Sequence, residues 1–238
     1  MNIADENVPL VGQTQPVKIA IAMATHEIVP ATFMYDLASL VAFTAAAMPE
    51  GAQLGINMVS GTYVHRARQQ LLKGILADGD VTHVLWVDTD MRFPRESLAL
   101  LLRHNLPVVG INYAKREIPT DYVAIEKVPS DLKDPADQGK RLVTTADSTG
   151  LARVDALGFG LVLIKTSALK DLPDPGVEPW FWFEALPGGR QMGEDVYFCR
   201  LLKQLGVPVY VDQDLSKHCA HVGQFDYKLE HVDFQKGD

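Results

Sequence analysis

Short apolar runs alternate with stretches of helical spacing through the first half of this chain, and that rhythm limits the fold more than any other feature. Val17-Lys18-Ile19-Ala20-Ile21-Ala22-Met23 has the make-up of a buried strand and runs out at Ala24-Thr25-His26-Glu27. Pro30 then opens a helix to about Met48, a position that suits proline because the first helical N–H is unpaired anyway. A second strand is expected near Leu54 to Val59, followed by a Ser60-Gly61-Thr62 turn with a candidate cap. Val64, Ala67, Leu71, Leu72, Ile75 and Leu76 then recur at helical spacing. His83 to Val87 is a third run, ending in Asp88-Thr89-Asp90. Pro94 opens a helix with Leu98, Leu101 and Leu102 on one face, and Pro107 to Ile111 is a fourth strand. This alternation predicts an α/β fold, a mostly parallel Rossmann-like central sheet with helices on both faces. Ligands of such sheets gather at the carboxyl ends of the strands, where Thr25–Glu27 and Asp88–Asp90 fall.

After Tyr113 the rhythm breaks. Residues 114–150 are charged and aperiodic, a long excursion of the kind that often carries function. Arg153 to Lys165 forms one or two strands around Gly158-Phe159-Gly160, and Pro173 to Gly189 is aromatic and turn-rich. Gly193 to Leu205 is a helix, Pro208 to Val211 a last strand, and His218 to Gly223 a short turn. A single domain over 17–223 is expected, with a flexible arm at 1–16 and a polar tail at 224–238. The chain of 238 residues is 47% hydrophobic and 22% charged, which excludes a disordered chain and suits one sizeable core. No stretch nears the roughly 20 unbroken apolar residues of a membrane helix, and no signal peptide is apparent, so no membrane insertion and a cytoplasmic location are expected. Cys199 and Cys219 are expected as reduced thiols. A net charge of -8 disfavours a globally basic nucleic-acid binder.

Three segments carry chemistry. Asp88 and Asp90 stand two residues apart at a strand end, where period-two geometry would point both to one side. Adjacent carboxylates repel unless a positive charge lies between them, and hard oxygen donors suit Mg²⁺ or Mn²⁺. The same pair would also serve as turn caps. Glu194-Asp195 opens a helix, where acids favour the helix dipole or present a general base. His218 and His221 follow a strand, and imidazole can complete a Mn²⁺ shell begun by carboxylates.

Taken in order (strand, D-x-D, glycine-bracketed strand, aromatic loop, E-D helix, strand, His-x-Gly), these segments make the chain resemble the GT-A glycosyltransferases, particularly small bacterial and phage members related to family 2. The resemblance spans about Val17 to Gly223 and implies a GT-A fold and a sugar transfer from a nucleotide-sugar, UDP-linked by expectation, to an acceptor hydroxyl. It implies that Thr25, His26 and Glu27 hold the nucleoside, and that Arg66 and Arg68 lie near the pyrophosphate. Many relatives read Ala-Arg-Asn where this chain has Ala67-Arg68-Gln69. It implies that Asp88, Thr89 and Asp90 flank ribose and metal, that Asp90, Asp88 and His221 (or His218 in its place) hold Mn²⁺ or Mg²⁺, and that Asp195, or Glu194, is the catalytic carboxylate. Tyr113, Lys115, Trp180 and Trp182 are candidates for the sugar or acceptor, because aromatic faces stack on sugars or bases. Trp180 to Phe183 would equally form a half-buried strand, and Gly158 and Gly160 mark either a close ligand approach or a bulge.

The acceptor stays open, and a hydroxymethylated DNA base is one candidate, with Lys115-Arg116 and the tryptophans compatible with it. Two other classes compete. The run into Asp-Thr-Asp also resembles haloacid-dehalogenase phosphatases, but Arg92 stands where they carry Thr or Val. A nucleotidyltransferase would bring a Gly-rich basic signature after its first strand, and Ala24 to Glu27 has none. A non-catalytic nucleotide-binding protein would not require both acidic pairs.

Overall fold

The computed structural model describes residues 17–61, 63–117, 119–129, 134, 139–223, 226–229 and 232. The expected arm at 1–16 and the Thr62 cap lie outside them. In chain order the elements are β1 (Lys18–Thr25), α1 (Ala31–Ala47), β2 (Gln53–Ser60), α2 (Val64–Ala77), β3 (His83–Val87), β4 (Met91–Arg92), α3 (Ser97–Arg103), β5 (Val108–Gly110), β6 (Ile125–Lys127), β7 (Lys140–Arg141), β8 (Leu151–Val154), β9 (Leu161–Lys165), β10 (Glu184–Ala185), β11 (Gln191–Met192), α4 (Glu194–Gln204), β12 (Val209–Asp212), α5 (Gln213–Ser216), β13 (Ala220–Val222) and β14 (Asp226–Tyr227).

Seven strands make one sheet in the order β2-β1-β3-β9-β5-β12-β8. β1 is parallel to β2 and β3, and β5 is parallel to β12. β9 runs antiparallel to β3 and β5, and β8 antiparallel to β12. Five strands therefore share a direction and two oppose it, so the sheet of this α/β domain is mostly parallel. Side-chain alternation sends successive residues to opposite faces. Ile19, Ile21 and Met23 pack with Phe33, Leu37 and Leu40 of α1 and with Leu98 and Leu101 of α3. Ala20 and Ala22 pack with Leu71, Leu72 and Ile75 of α2 and with Phe198, Leu201 and Leu202 of α4. Helices thus cover both faces, each buried Leu or Phe contributing about 1.5–3 kcal/mol.

Several local expectations change. The helix after Pro94 begins at Ser97, because Pro94 first closes a turn in which its carbonyl accepts from Ser97 N at 3.1 Å. The segment around Gly158–Gly160, expected as one or two strands, is two, β8 and β9; what differs from a parallel sheet is that both are reversed and stand far apart in it. His218 to Gly223 is more than a turn: Ala220–Val222 forms β13, which pairs with β4 and β14. Short β strands there carry no readable alternation; the pairing is set by distant chain. β4 is itself fixed from below, since Asp36, buried on α1, accepts from Arg92 Nε and Phe93 N. Beyond β14, Leu229 and Val232 are buried against Ala114 and Tyr122. Both cysteines are free and buried.

The topology concentrates strand ends on one rim. β1 and β3 finish there at Thr25 and Val87, β5 finishes there before Asn112-Tyr113, and reversed β9 begins there after Gly158–Gly160.

Candidate functional site

Arg68 sits at the centre of this rim. It projects from α2, is 3% exposed, and its guanidinium lies 5.2 Å above the Phe159 ring. Nη2 donates to Asp88 Oδ1 at 2.7 Å and Nη1 to Glu194 Oε1 at 2.9 Å. One cation thus joins the loop after β3 to the first turn of α4. Burial acts to lower the Arg68 pKa, but Asp88, Glu194 and Asp195 outweigh it and the pKa is raised. Asp88 moves the other way from a simple ion pair: burial pushes its pKa up, Asp90 and Asp195 add to this, and Arg68 offsets only part. The two shifts agree once the stoichiometry is considered. One guanidinium collects the attraction of three carboxylates, while each carboxylate receives a share of one guanidinium.

Asp195 is the third member. Its Oδ1 accepts from Val196 N at 2.7 Å. Burial and then the neighbouring Glu194 charge push its pKa up to about 6, against the pull of Arg68. Glu194 is committed to Arg68; Asp195 feels that cation without an ion pair to it, which makes it the more available carboxylate of the pair.

The D-x-D does not behave as the strand alternation predicts. β3 ends at Val87, and Asp88 to Met91 is a turn in which Met91 N donates to Asp88 O at 3.2 Å. The two aspartates therefore take different partners. Asp88 faces Arg68, whereas Asp90 Oδ2 lies 3.0 Å from Arg116 Nη1 and 3.3 Å from His221 Nε2. The β4–β13 pairing sets this contact: His221 stands opposite Met91, and Val222 N donates to Asp90 O at 2.7 Å. His221 Nδ1 lies 3.1 Å from the Ala114 carbonyl, which can only accept, so Nδ1 carries the proton and Nε2 faces the carboxylate. Two lone-pair groups at that distance repel unless a proton or another cation stands between them. Burial works to raise the Asp90 pKa, but His221 and Arg116 outweigh it and hold it below its ordinary value.

This donor set fits a hard divalent cation. A carboxylate oxygen and an imidazole nitrogen converge, and the second imidazole nitrogen is anchored to a backbone carbonyl as metal-binding histidines are. Four carboxylates (Asp88, Asp90, Glu194, Asp195) meet two guanidiniums (Arg68, Arg116), leaving two negative charges uncompensated when all are ionised. Among the described residues, no three His, Cys, Asp or Glu side chains surround a common point as metal ligands. Asp90 and His221 come together; Asp88 is turned to Arg68.

Thr25 is buried, its Oγ1 donating to His26 O at 2.9 Å, while His26 and Glu27 are exposed on the loop after β1. Thr89 is partly buried in the turn. Arg66 points away from Arg68's surroundings: it is exposed, its guanidinium 5.0 Å from the Tyr63 ring centre. His218 is exposed and lines a different cavity with Lys217 and Thr145. Lys115 pairs with Glu117 and Asp121. Tyr113 is buried, its ring edge-on to His221 at 5.3 Å and its hydroxyl accepting from Gly160 N at 3.2 Å. Gly158 and Gly160 make room for that ring: a Cβ on Gly160 would come within 2.8 Å of Tyr113 Cζ and 2.9 Å of Met91 Sδ. Trp180 is a core residue whose Nε1 donates to Pro173 O at 2.8 Å, and Phe181 stacks on Phe198 at 4.6 Å. Trp182 is half exposed. Sequence reasoning missed Arg116 as the partner of Asp90 and Phe159 as the shelf for Arg68. A basic residue shortly after the fourth strand was the one signal for the first.

No protein-family model matches this sequence, and no curated protein does. Among solved structures, the chain is similar to the crystal structure of A197 from STIV, with a TM-score of 0.54 and 16% identity over 87% of this chain and 86% of that one. It is also similar to the crystal structure of GalNAc-T7 with UDP, GalNAc and Mn²⁺, with a TM-score of 0.48 and 11% identity over 92% of this chain and 45% of that one. The likeness to A197 is a likeness of fold.

Proposed function

We propose that this protein is a GT-A-type glycosyltransferase that moves a sugar from a nucleotide-sugar, UDP-linked in our reading, to an acceptor hydroxyl. The observation that carries it is the meeting, at one sheet rim, of Asp88–Asp90, Glu194–Asp195, Arg68 and His221 from four separate stretches of chain. These are the segments whose order resembles that family.

In this reading Asp195 is the base. It takes the proton of the acceptor hydroxyl as that oxygen attacks the anomeric carbon and the bond to the nucleoside diphosphate breaks. A carboxylate with a raised pKa holds that proton better than an ordinary one, yet is still mostly ionised near neutral pH. Arg68 and Glu194 position it. Thr25 and Asp88 flank the nucleoside, and Arg116 adds positive charge beside Asp90. A bound Mn²⁺ or Mg²⁺ would be held by Asp90 and His221 and would supply charge opposite the phosphates of the leaving diphosphate.

Thermal unfolding against a panel of nucleoside diphosphates, with and without Mn²⁺, tests the proposal. UDP should raise the melting temperature, and more so with metal, since a ligand of the native state stabilises it in proportion to its affinity. No shift with any nucleoside diphosphate in the presence of metal would falsify it.

A further inference from the structure

A second cavity, about 420 Å³, lies between α2 and the aromatic loop and shares no residue with the carboxylate cluster. Its wall is aromatic and cationic. Trp182 is 48% exposed, its ring edge-on to His65 at 5.7 Å, and Phe181 forms part of the lining. Arg66 and Lys73 contribute the charge, and among the described residues neither has a carboxylate partner. None of the lining residues is acidic, in a chain of net charge -8. Burial and then Arg66 lower the His65 pKa.

Two polar atoms in this wall lack partners. Gln69 Oε1 accepts from Trp180 N at 2.8 Å and Phe181 N at 3.3 Å, which fixes its amide and leaves Nε2 as an unpaired donor. His65 Nδ1 is also unpaired. Both atoms are shielded from water, so a ligand reaches them only as neighbouring side chains shift on binding. Buried polar groups without partners are uncommon and costly. A hydrocarbon ring would leave both unpaired, and a bare anion would leave the indole uncovered. A flat ring with hydrogen-bonding edges and an attached anion answers every feature.

We infer that this pocket binds a nucleobase carrying a phosphate, either a free nucleotide or one unit of a single-stranded nucleic acid, with the ring against Trp182, its polar edge toward Gln69 and His65, and the phosphate between Arg66 and Lys73. The site is separate from the one proposed for the donor nucleotide, and its existence does not depend on that proposal.

Fluorescence anisotropy of a labelled oligothymidylate, with the full-length protein and no other nucleotide or metal added, tests this. Trp182→Ala should weaken binding ~10-fold or more, the range of an aromatic stacking contact, and Lys73→Glu should weaken it by bringing a negative charge to the phosphate. Both are surface positions, and unchanged melting temperatures confirm folding. One neutralised phosphate predicts a log–log salt slope of about -0.7. Displacement by millimolar dTMP identifies the free nucleotide as the ligand; resistance to dTMP identifies the strand. The inference fails if neither probe binds, if both variants bind as the wild type does, or if inorganic phosphate displaces the probe as well as dTMP. The Mn²⁺-dependent part of the UDP stabilisation reports on the Asp90–His221 site, and the Trp182 and Lys73 variants report on this pocket, so the two proposals stand or fall on different readouts.

Discussion

Arg68 is the residue on which the rim turns. Its guanidinium is buried with two carboxylates in direct contact and a third nearby. Removing one partner of a buried ion pair strands the others, a loss of about 3–5 kcal/mol. Arg68→Met should therefore lower the melting temperature by roughly 10 °C in a domain of this size, and Arg68→Lys should restore only part, because an ammonium cannot span Asp88 and Glu194 as the planar fork does. Calorimetry checks both. Asp195 makes a contrary prediction. Its pKa is raised from 3.8 to about 6, so the fold favours its protonated form. That contribution is full below pH 4 and is lost as pH rises through 6. Asp195→Asn should then unfold about 1–3 kcal/mol less readily at pH 7, and its stability should lack this pH dependence. Its turnover should nevertheless fall ~100-fold if it is the base, and wild-type turnover should decline as pH drops below 6. A variant with full turnover would place the base elsewhere. The residue types were legible in the sequence: D-x-D, E-D and the arginine of the second helix all stand at the rim. Their pairings were not, because whether a carboxylate faces a guanidinium or an imidazole depends on turns with no sequence period.

Among the elements, the two-residue β4 and three-residue β13 matter out of proportion to their length. The major βα alternation was readable because each run buries a face large enough to impose a period. β13 is too short to impose a period; its hydrogen bonds to β4 and β14 define it. Val222→Pro removes the N–H that donates to Asp90 O. The expected result is a melting temperature within about 3 °C of wild type, since one partly exposed hydrogen bond contributes about 1 kcal/mol, together with loss of the extra stabilisation that Mn²⁺ adds to UDP. A collapse of the whole fold would mean that β13 supports the core. Reversed β9 was equally hidden, since an apolar run looks the same in either direction. Its start at the rim is sensitive to volume: Gly160→Ala would force the Tyr113 ring and Met91 apart, a cost of about 1–3 kcal/mol, visible as a lower denaturant midpoint.

At the scale of the molecule, the rim is a region of concentrated negative charge on an acidic protein. Self-repulsion there opposes folding and is relieved by cations. Millimolar Mn²⁺ alone should raise the melting temperature of the wild type, KCl at equal ionic strength should raise it less, and Asp90→Asn should remove the difference; differential scanning fluorimetry reads all three. If KCl matches Mn²⁺, the charge is only screened and no cation is held.

His221 lies nine residues beyond the last strand of the main sheet, which ends at Asp212, while its partner Asp90 lies near the middle of the chain. On the ribosome, every strand of that sheet has been made before the imidazole is added. Synthesis that stops between Asp212 and His221 leaves every strand of that sheet present and the Asp90 carboxylate without its imidazole, so sheet and pair belong to different stretches of the growing chain.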